Sequence, residues 1–250
     1  MDTLIIPVNV RREITRIVRA IPDGLETGVT LFGVTIAEAS DPEGPSETHS
    51  QFVVLSVAGP GRRAVHQPAH YAVDHEHASS VYAALGCALP GIRWLGELHL
   101  HPPGMTWLSG GDHRTIRAIL TGADGEVPPE EMIAGVMQRN RRIVELYPFH
   151  FRRPPRRGRA MTIFIVDPAS PLIDEARAKA LRKEDTQPAN PKGVADEPIL
   201  ATESRPDLRA EPCAGGTPRE KASRFRWLWK RWRFFNRDGR ARRGGTVHAD

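Results

Sequence analysis

Long apolar runs, cysteines and lysines are all scarce in this 250-residue chain. No stretch reaches the roughly 18 consecutive apolar residues of a membrane-spanning helix, and the N-terminus lacks the basic start and apolar stretch of a secretory signal. The two cysteines, Cys87 and Cys213, lie far apart and outside any metal-binding or redox spacing. Because a small secreted scaffold would need several disulfides, we expect a cytoplasmic protein.

Lysine is absent from the first two thirds of the chain, and the charge is unevenly distributed. Residues 1–167 contain 17 basic and 18 acidic residues, whereas residues 168–250 contain 18 basic and 12 acidic residues. The formal net charge of +5 therefore belongs to the C-terminal part. This asymmetry predicts a nearly neutral domain over 1–167, followed by a basic extension.

Hydrophobic periodicity predicts a domain that mixes helices and strands. Helical spacing of apolar residues occurs over 10–22, 76–89 and 112–120. Alternating or β-branched runs predict strands over 29–37, 51–58, 93–101, 132–138, 142–149 and 161–166. This order of elements predicts an α+β fold with a central mixed sheet flanked by helices.

Two other kinds of sequence follow Asp167. Residues 168–222 are rich in proline and charge; apart from a predicted helix over 172–184, they are expected to form a disordered linker. Residues 223–250 form a basic aromatic tail, with nine basic residues and one acidic residue in 223–243. The tail predicts an amphipathic helix. Such a helix could bind an anionic membrane surface, and the protein would then be peripheral to the membrane. It could instead bind nucleic acid or a partner protein, or pack on the domain itself.

The segment HLHPPGMTWLSGGD, residues 99–112, carries the clearest chemistry. In a strand, side chains alternate between faces, so His99 and His101 point the same way. The following Pro-rich and Gly-rich loop can bring Asp112, at a helix start, back to the two imidazoles. Two nitrogens and one oxygen make a three-ligand set that leaves a fourth position open, as in catalytic zinc sites. The pattern therefore predicts a metallohydrolase.

This segment resembles the metal motif of the JAMM/MPN+ zinc metalloproteases, in particular the prokaryotic JAB type. The match is a His-x-His-Pro sequence with Ser109 and Asp112 at the family's downstream spacing. An upstream glutamate completes the family motif, and Glu26-Thr27-Gly28 resembles it in context. Leu100 replaces the usual Ser or Thr between the histidines. The resemblance covers about residues 10–166 and implies the MPN (cytidine-deaminase-like) fold.

The resemblance also implies a role for each residue. His99, His101 and Asp112 would bind Zn²⁺, which lowers the pKa of a coordinated water toward about 7. Glu26 would take a proton from that water and pass it to the leaving amine. Ser109 would donate a hydrogen bond to the developing oxyanion. The implied substrate is the C-terminal glycyl peptide or isopeptide bond of a ubiquitin-like protein or its conjugates.

Glu97 competes with Glu26 for the proton-transfer role, because strand alternation puts it on the same face as His99. It could instead hold a histidine N–H as a partner behind the metal ligands. Two other functions stay open. One is a zinc hydrolase of small amide conjugates, and the other is a non-catalytic MPN-type scaffold that binds proteins.

Overall fold

The computed structural model describes residues 1–37, 49–122, 128–140, 143–154 and 157–182. These ranges include the predicted linker only up to residue 182, so the rest of the linker prediction and the whole basic aromatic tail lie outside the described residues. They contain ten strands: β1 Thr3–Pro7, β2 Gly28–Ala37, β3 Ser50–Ala58, β4 Val65–Gln67, β5 His70–Ala72, β6 Arg93–Leu100, β7 Glu131–Arg139, β8 Val144–Arg152, β9 Arg159–Ala160 and β10 Thr162–Val166.

Eight of these strands form one mixed sheet in the order β10-β1-β3-β2-β6-β7-β8-β9. The centre of the sheet is β6, which pairs antiparallel with β2 and parallel with β7. The strands β4 and β5 form a separate two-stranded hairpin. With the helices described next, this sheet confirms the expected α+β class.

The described ranges contain four helices: α1 Val8–Arg19, α2 His75–Ala88, α3 Gly110–Thr121 and α4 Pro171–Leu181. Helix α1 shows the helical spacing of apolar residues predicted from the sequence. This spacing puts Val10, Ile14, Ile17 and Val18 on one side of the helix, where they pack into the main core. None of the helices in these ranges is long and apolar enough to cross a membrane.

Helix α4 extends the packed domain beyond the boundary predicted at Asp167. Ile173, Ala176 and Ala180 on this helix are buried against Ile5 and Val53 of the sheet. The composition of residues 168–222 predicted a linker with one helix. In the structure that helix packs on the sheet, where its small residues Ala176 and Ala180 allow a close approach to the strands. The domain therefore includes at least the residues up to Leu181.

The first strand, β1, was not predicted from the sequence. It lies between the parallel strands β10 and β3. Its segment TLIIP has no polar alternation, because helix α1 covers one face of the strand and helix α4 covers the other. Beside it, Asp2 is 2% exposed and accepts from His150 on β8, 2.7 Å away, and from the Ser50 N–H, 3.0 Å away. This polar contact joins the residue before β1 to β8, a strand that is distant from β1 in the sheet order.

Candidate metal centre

The end of strand β6 brings two imidazoles together. His99 and His101 are 4% and 7% exposed, and their Nε2 atoms lie 2.6 Å apart. The intervening Leu100 and the preceding Leu98 point into the main hydrophobic core. The structure therefore has the alternation predicted from the sequence, with the histidines on the face opposite the leucines.

Helix α3 positions the carboxylate that completes the group. Ser109 is its N-cap: Ser109 Oγ accepts from the Asp112 N–H at 3.2 Å, and Asp112 Oδ2 accepts from the Ser109 N–H at 2.6 Å. This capping box fixes the direction of the carboxylate. Asp112 Oδ1 lies 3.4 Å from His99 Nε2, and Oδ2 lies 3.4 Å from His101 Nε2.

The three side chains could hold a metal ion. One ligand atom from each of His99, His101 and Asp112 lies within 4.8 Å of the others. Tetrahedral zinc with Zn–N bonds of about 2.0 Å separates its ligand atoms by about 3.3 Å. Both histidine–aspartate separations, 3.4 Å, match that value. Binding would move the two imidazole nitrogens apart by about 0.7 Å.

The electrostatics of Asp112 favour its ionised form. Burial alone would raise the pKa of this carboxyl, but hydrogen bonds from His101 and His99 and from Ser109 outweigh burial and hold the pKa well below its ordinary value. An ionised carboxylate is the form that binds a divalent cation. The site therefore offers a deprotonated oxygen ligand at neutral pH.

A glutamine on strand β7 holds the loop between the ligands. Gln138 Nε2 donates to the carbonyls of Met105 at 2.7 Å, Pro102 at 3.1 Å and His101 at 3.4 Å. Its Oε1 accepts from the Gly104 N–H at 3.1 Å. This buried amide fixes the turn that leads from His101 toward Asp112. No motif in the sequence singled it out.

Strand pairing brings Glu26 beside the histidines. In the β2–β6 pair Gly28 lies opposite His99, and the Thr27 carbonyl accepts from the Leu100 N–H at 2.6 Å. Continuing this antiparallel register places Glu26 level with His101. Burial raises the pKa of the Glu26 carboxyl, although the nearby histidines act in the opposite direction.

Glu26 and His101 line a cleft of about 910 Å³. Its apolar wall contains Leu25, Pro68, Leu100, Pro102 and Pro103, and its polar lining includes Arg19, Asp23, Arg139 and Asn140. Arg139 donates to the Val18 and Ile21 carbonyls, at 3.1 and 2.6 Å, and pairs with Asp23. It therefore ties the segment after helix α1, which leads to Glu26, to strand β7.

The hydroxyl of Ser109 belongs to the cap of helix α3. A serine hydroxyl has one donor and two acceptor sites, and the helix cap uses the oxygen as an acceptor. The Ser109 side chain also hydrogen-bonds the Asp112 carboxylate, and this bond is one of the causes that lower the pKa of Asp112. The neighbouring Leu108 is buried, whereas Trp107 is 59% exposed, so Leu108 rather than Trp107 anchors this loop.

Glu97 has a different environment from Glu26. It is 5% exposed, and its Oε1 accepts from the Thr30 hydroxyl at 3.4 Å. Burial raises the pKa of this carboxyl well above its ordinary value, which favours the neutral acid. The group of possible metal ligands consists of His99, His101 and Asp112 and does not include Glu97. Glu97 is also not among the residues that line the cleft.

No known protein-family model matches the sequence, and neither does any curated protein. The solution structure of protein DSY2949 from Desulfitobacterium hafniense is 14% identical, with the match covering 66% of this chain and 93% of that chain at a TM-score of 0.43. A likeness at this level assigns neither a family nor an activity. The functional argument therefore depends on the site itself.

Proposed function

We propose that this chain is a zinc-dependent peptidase or isopeptidase of the JAMM type, built on an MPN fold. Its substrate is the C-terminal glycyl bond of a ubiquitin-like protein, in a precursor or a conjugate. The observation that carries the proposal is a cleft lined by Glu26 and His101, in which His101 belongs to a His99–His101–Asp112 group with nearly zinc-like spacing. A structural zinc site would need a fourth protein ligand, and the described residues group only these three.

Each of these residues has a proposed role. His99, His101 and Asp112 would hold Zn²⁺, which supplies a Lewis acid and lowers the pKa of a coordinated water. Glu26 accepts a proton at its carboxylate and returns it to the leaving amine, and its raised pKa brings it nearer to neutral pH, where such exchange is efficient. Ser109 donates its O–H to the developing oxyanion.

The test combines metal content with cleavage. Wild-type protein should contain one zinc per chain and cleave a ubiquitin-like fusion, and a chelator should abolish cleavage. His99→Ala should lose the metal. Glu26→Gln should keep the metal but cleave at least about 100-fold more slowly, because it loses general acid–base catalysis.

Glu130→Gln is the matched control, because Glu130 is an exposed glutamate outside the cleft lining. It should leave both zinc content and cleavage unchanged. Cleavage by Glu26→Gln at the wild-type rate would refute the mechanism. Cleavage of small amides but not of ubiquitin-like fusions would identify a small-conjugate hydrolase, and zinc-independent partner binding without hydrolysis would identify a scaffold.

A further inference from the structure

The hairpin β4–β5 lies outside the large sheet, yet it contacts the residue proposed to move the proton. The main-chain N–H of Glu26 donates to the Gln67 carbonyl at 3.0 Å. The Glu26 carbonyl lies 2.9 Å from His66 Nδ1. Both main-chain polar groups of Glu26 are therefore bonded to consecutive residues of strand β4.

The chemistry of this contact fixes which atom donates. A carbonyl oxygen has no hydrogen, so His66 Nδ1 must carry one and donate it. The His66 ring also lies against Tyr71 of β5, with 5.8 Å between ring centroids. Tyr71 in turn covers Gly28, where a Cβ would lie 2.5 Å from Tyr71 Cε1. The hairpin thus contacts the chain on both sides of Thr27.

These contacts matter because Glu26 precedes the first residue of strand β2. The sheet holds the neighbouring Thr27 through the Leu100 N–H, whereas the bonds found at Glu26 come from the hairpin. A rotation of the Glu26 backbone would turn its carboxyl out of the cleft. A misplacement of about 1 Å can cost about 100-fold in rate.

We propose that His66 is a positioning residue, which fixes the Glu26 backbone through Nδ1 and so directs the Glu26 carboxyl into the cleft. This inference depends on the proposed function for its catalytic consequence. His66 does not itself line the cleft or belong to the metal group, so it is not expected to touch the reacting atoms.

Two substitutions distinguish the donor atom from mere bulk. The amide nitrogen of Asn takes a position close to that of His Nδ1, whereas the amide of Gln reaches farther, toward that of Nε2. His66→Gln and His66→Leu should therefore lower kcat about 10- to 100-fold with KM and zinc content little changed. His66→Asn should recover most of the loss. His77→Leu, at an exposed histidine of helix α2, should behave like the wild type.

Hydrogen exchange of the Glu26 amide gives a readout that does not depend on activity. Exchange should be faster in His66→Leu and His66→Gln and near the wild-type rate in His66→Asn. Unchanged exchange in His66→Leu, or equal kcat for all three variants, would overturn the inference. If wild-type protein cleaves no substrate, the proposed function fails instead, and the exchange rates alone still decide whether His66 holds Glu26.

Discussion

Gln138 offers the sharpest test of how the metal centre is built. Its side chain is 7% exposed and makes three hydrogen bonds of ordinary length to the loop that follows His101, plus a longer one to the His101 carbonyl. Substitution with Met keeps the approximate shape and removes every one of these bonds. Substitution with Glu keeps the shape and replaces the donor with an acceptor.

The expected cost follows from the number of bonds. Each intramolecular hydrogen bond contributes about 1 kcal/mol net, so Gln138→Met should lower the free energy of unfolding by about 3 kcal/mol. Gln138→Glu should cost at least as much, because a carboxylate oxygen would then face the Met105 and Pro102 carbonyls. Domains are typically stable by about 5–15 kcal/mol, so both variants should still fold.

The loop also affects the metal site, which gives a second measurement. Residues that hold metal ligands in place typically contribute 10- to 100-fold to metal affinity. Urea unfolding of the metal-free protein should show the loss of stability, and competition with a chromophoric chelator should show weaker zinc binding by about that factor. Gln67→Met is the matched control, because the Gln67 residue is exposed.

The reasoning is refuted if Gln138→Met unfolds within about 0.5 kcal/mol of the wild type, a difference typical of neutral surface substitutions. It is also refuted if zinc affinity is unchanged while stability falls. The second outcome would mean that the loop contributes to folding but does not orient His101.

Two further predictions concern the helix cap and the Asp2–His150 contact. Ser109→Ala should lower the free energy of unfolding by only about 1 kcal/mol, the usual cost of losing an N-cap, yet slow cleavage about 100-fold or more if its O–H stabilises the oxyanion; a small kinetic effect would limit Ser109 to capping. Asp2 is buried, but hydrogen bonds from His150 and Ser50 outweigh burial and lower its pKa. Its contribution to stability is therefore complete above the unfolded pKa of about 3.9 and is lost as the pH falls. Urea unfolding from pH 7 to 3 should show a flatter acid dependence in Asp2→Asn, and an unchanged slope would contradict this.

Local periodicity predicted most of the elements because burial imposes a repeat on each one. The His99 and His101 pair, the start of helix α3 and the stripe on helix α1 all belong to this class. Residues whose side chains bond to a distant part of the chain produce no such repeat in the sequence. Gln138 bonds to a loop 33 to 37 residues away in the chain, and His66 bonds to Glu26 across 40 residues. A hydrogen bond between a side chain and a distant carbonyl constrains one residue only, so the sequence has no pattern to show it.

The pairing of β2 with β6 is the step that turns separate motifs into one site. Antiparallel strands put the start of one beside the end of the other, so the Glu26 segment before β2 meets the histidines that end β6. The register shifts within this pair, with Leu31 opposite Gly96 and Phe32 opposite Trp94. Gly96 has a φ of 142°, and a Cβ there would lie 1.8 Å from the Ile133 carbonyl oxygen. The extra residue on β6 is Leu95, just before Gly96. Because one residue of slip turns every later side chain to the other face, this irregularity lets His99 and His101 point toward Asp112 while Leu98 and Leu100 fill the core.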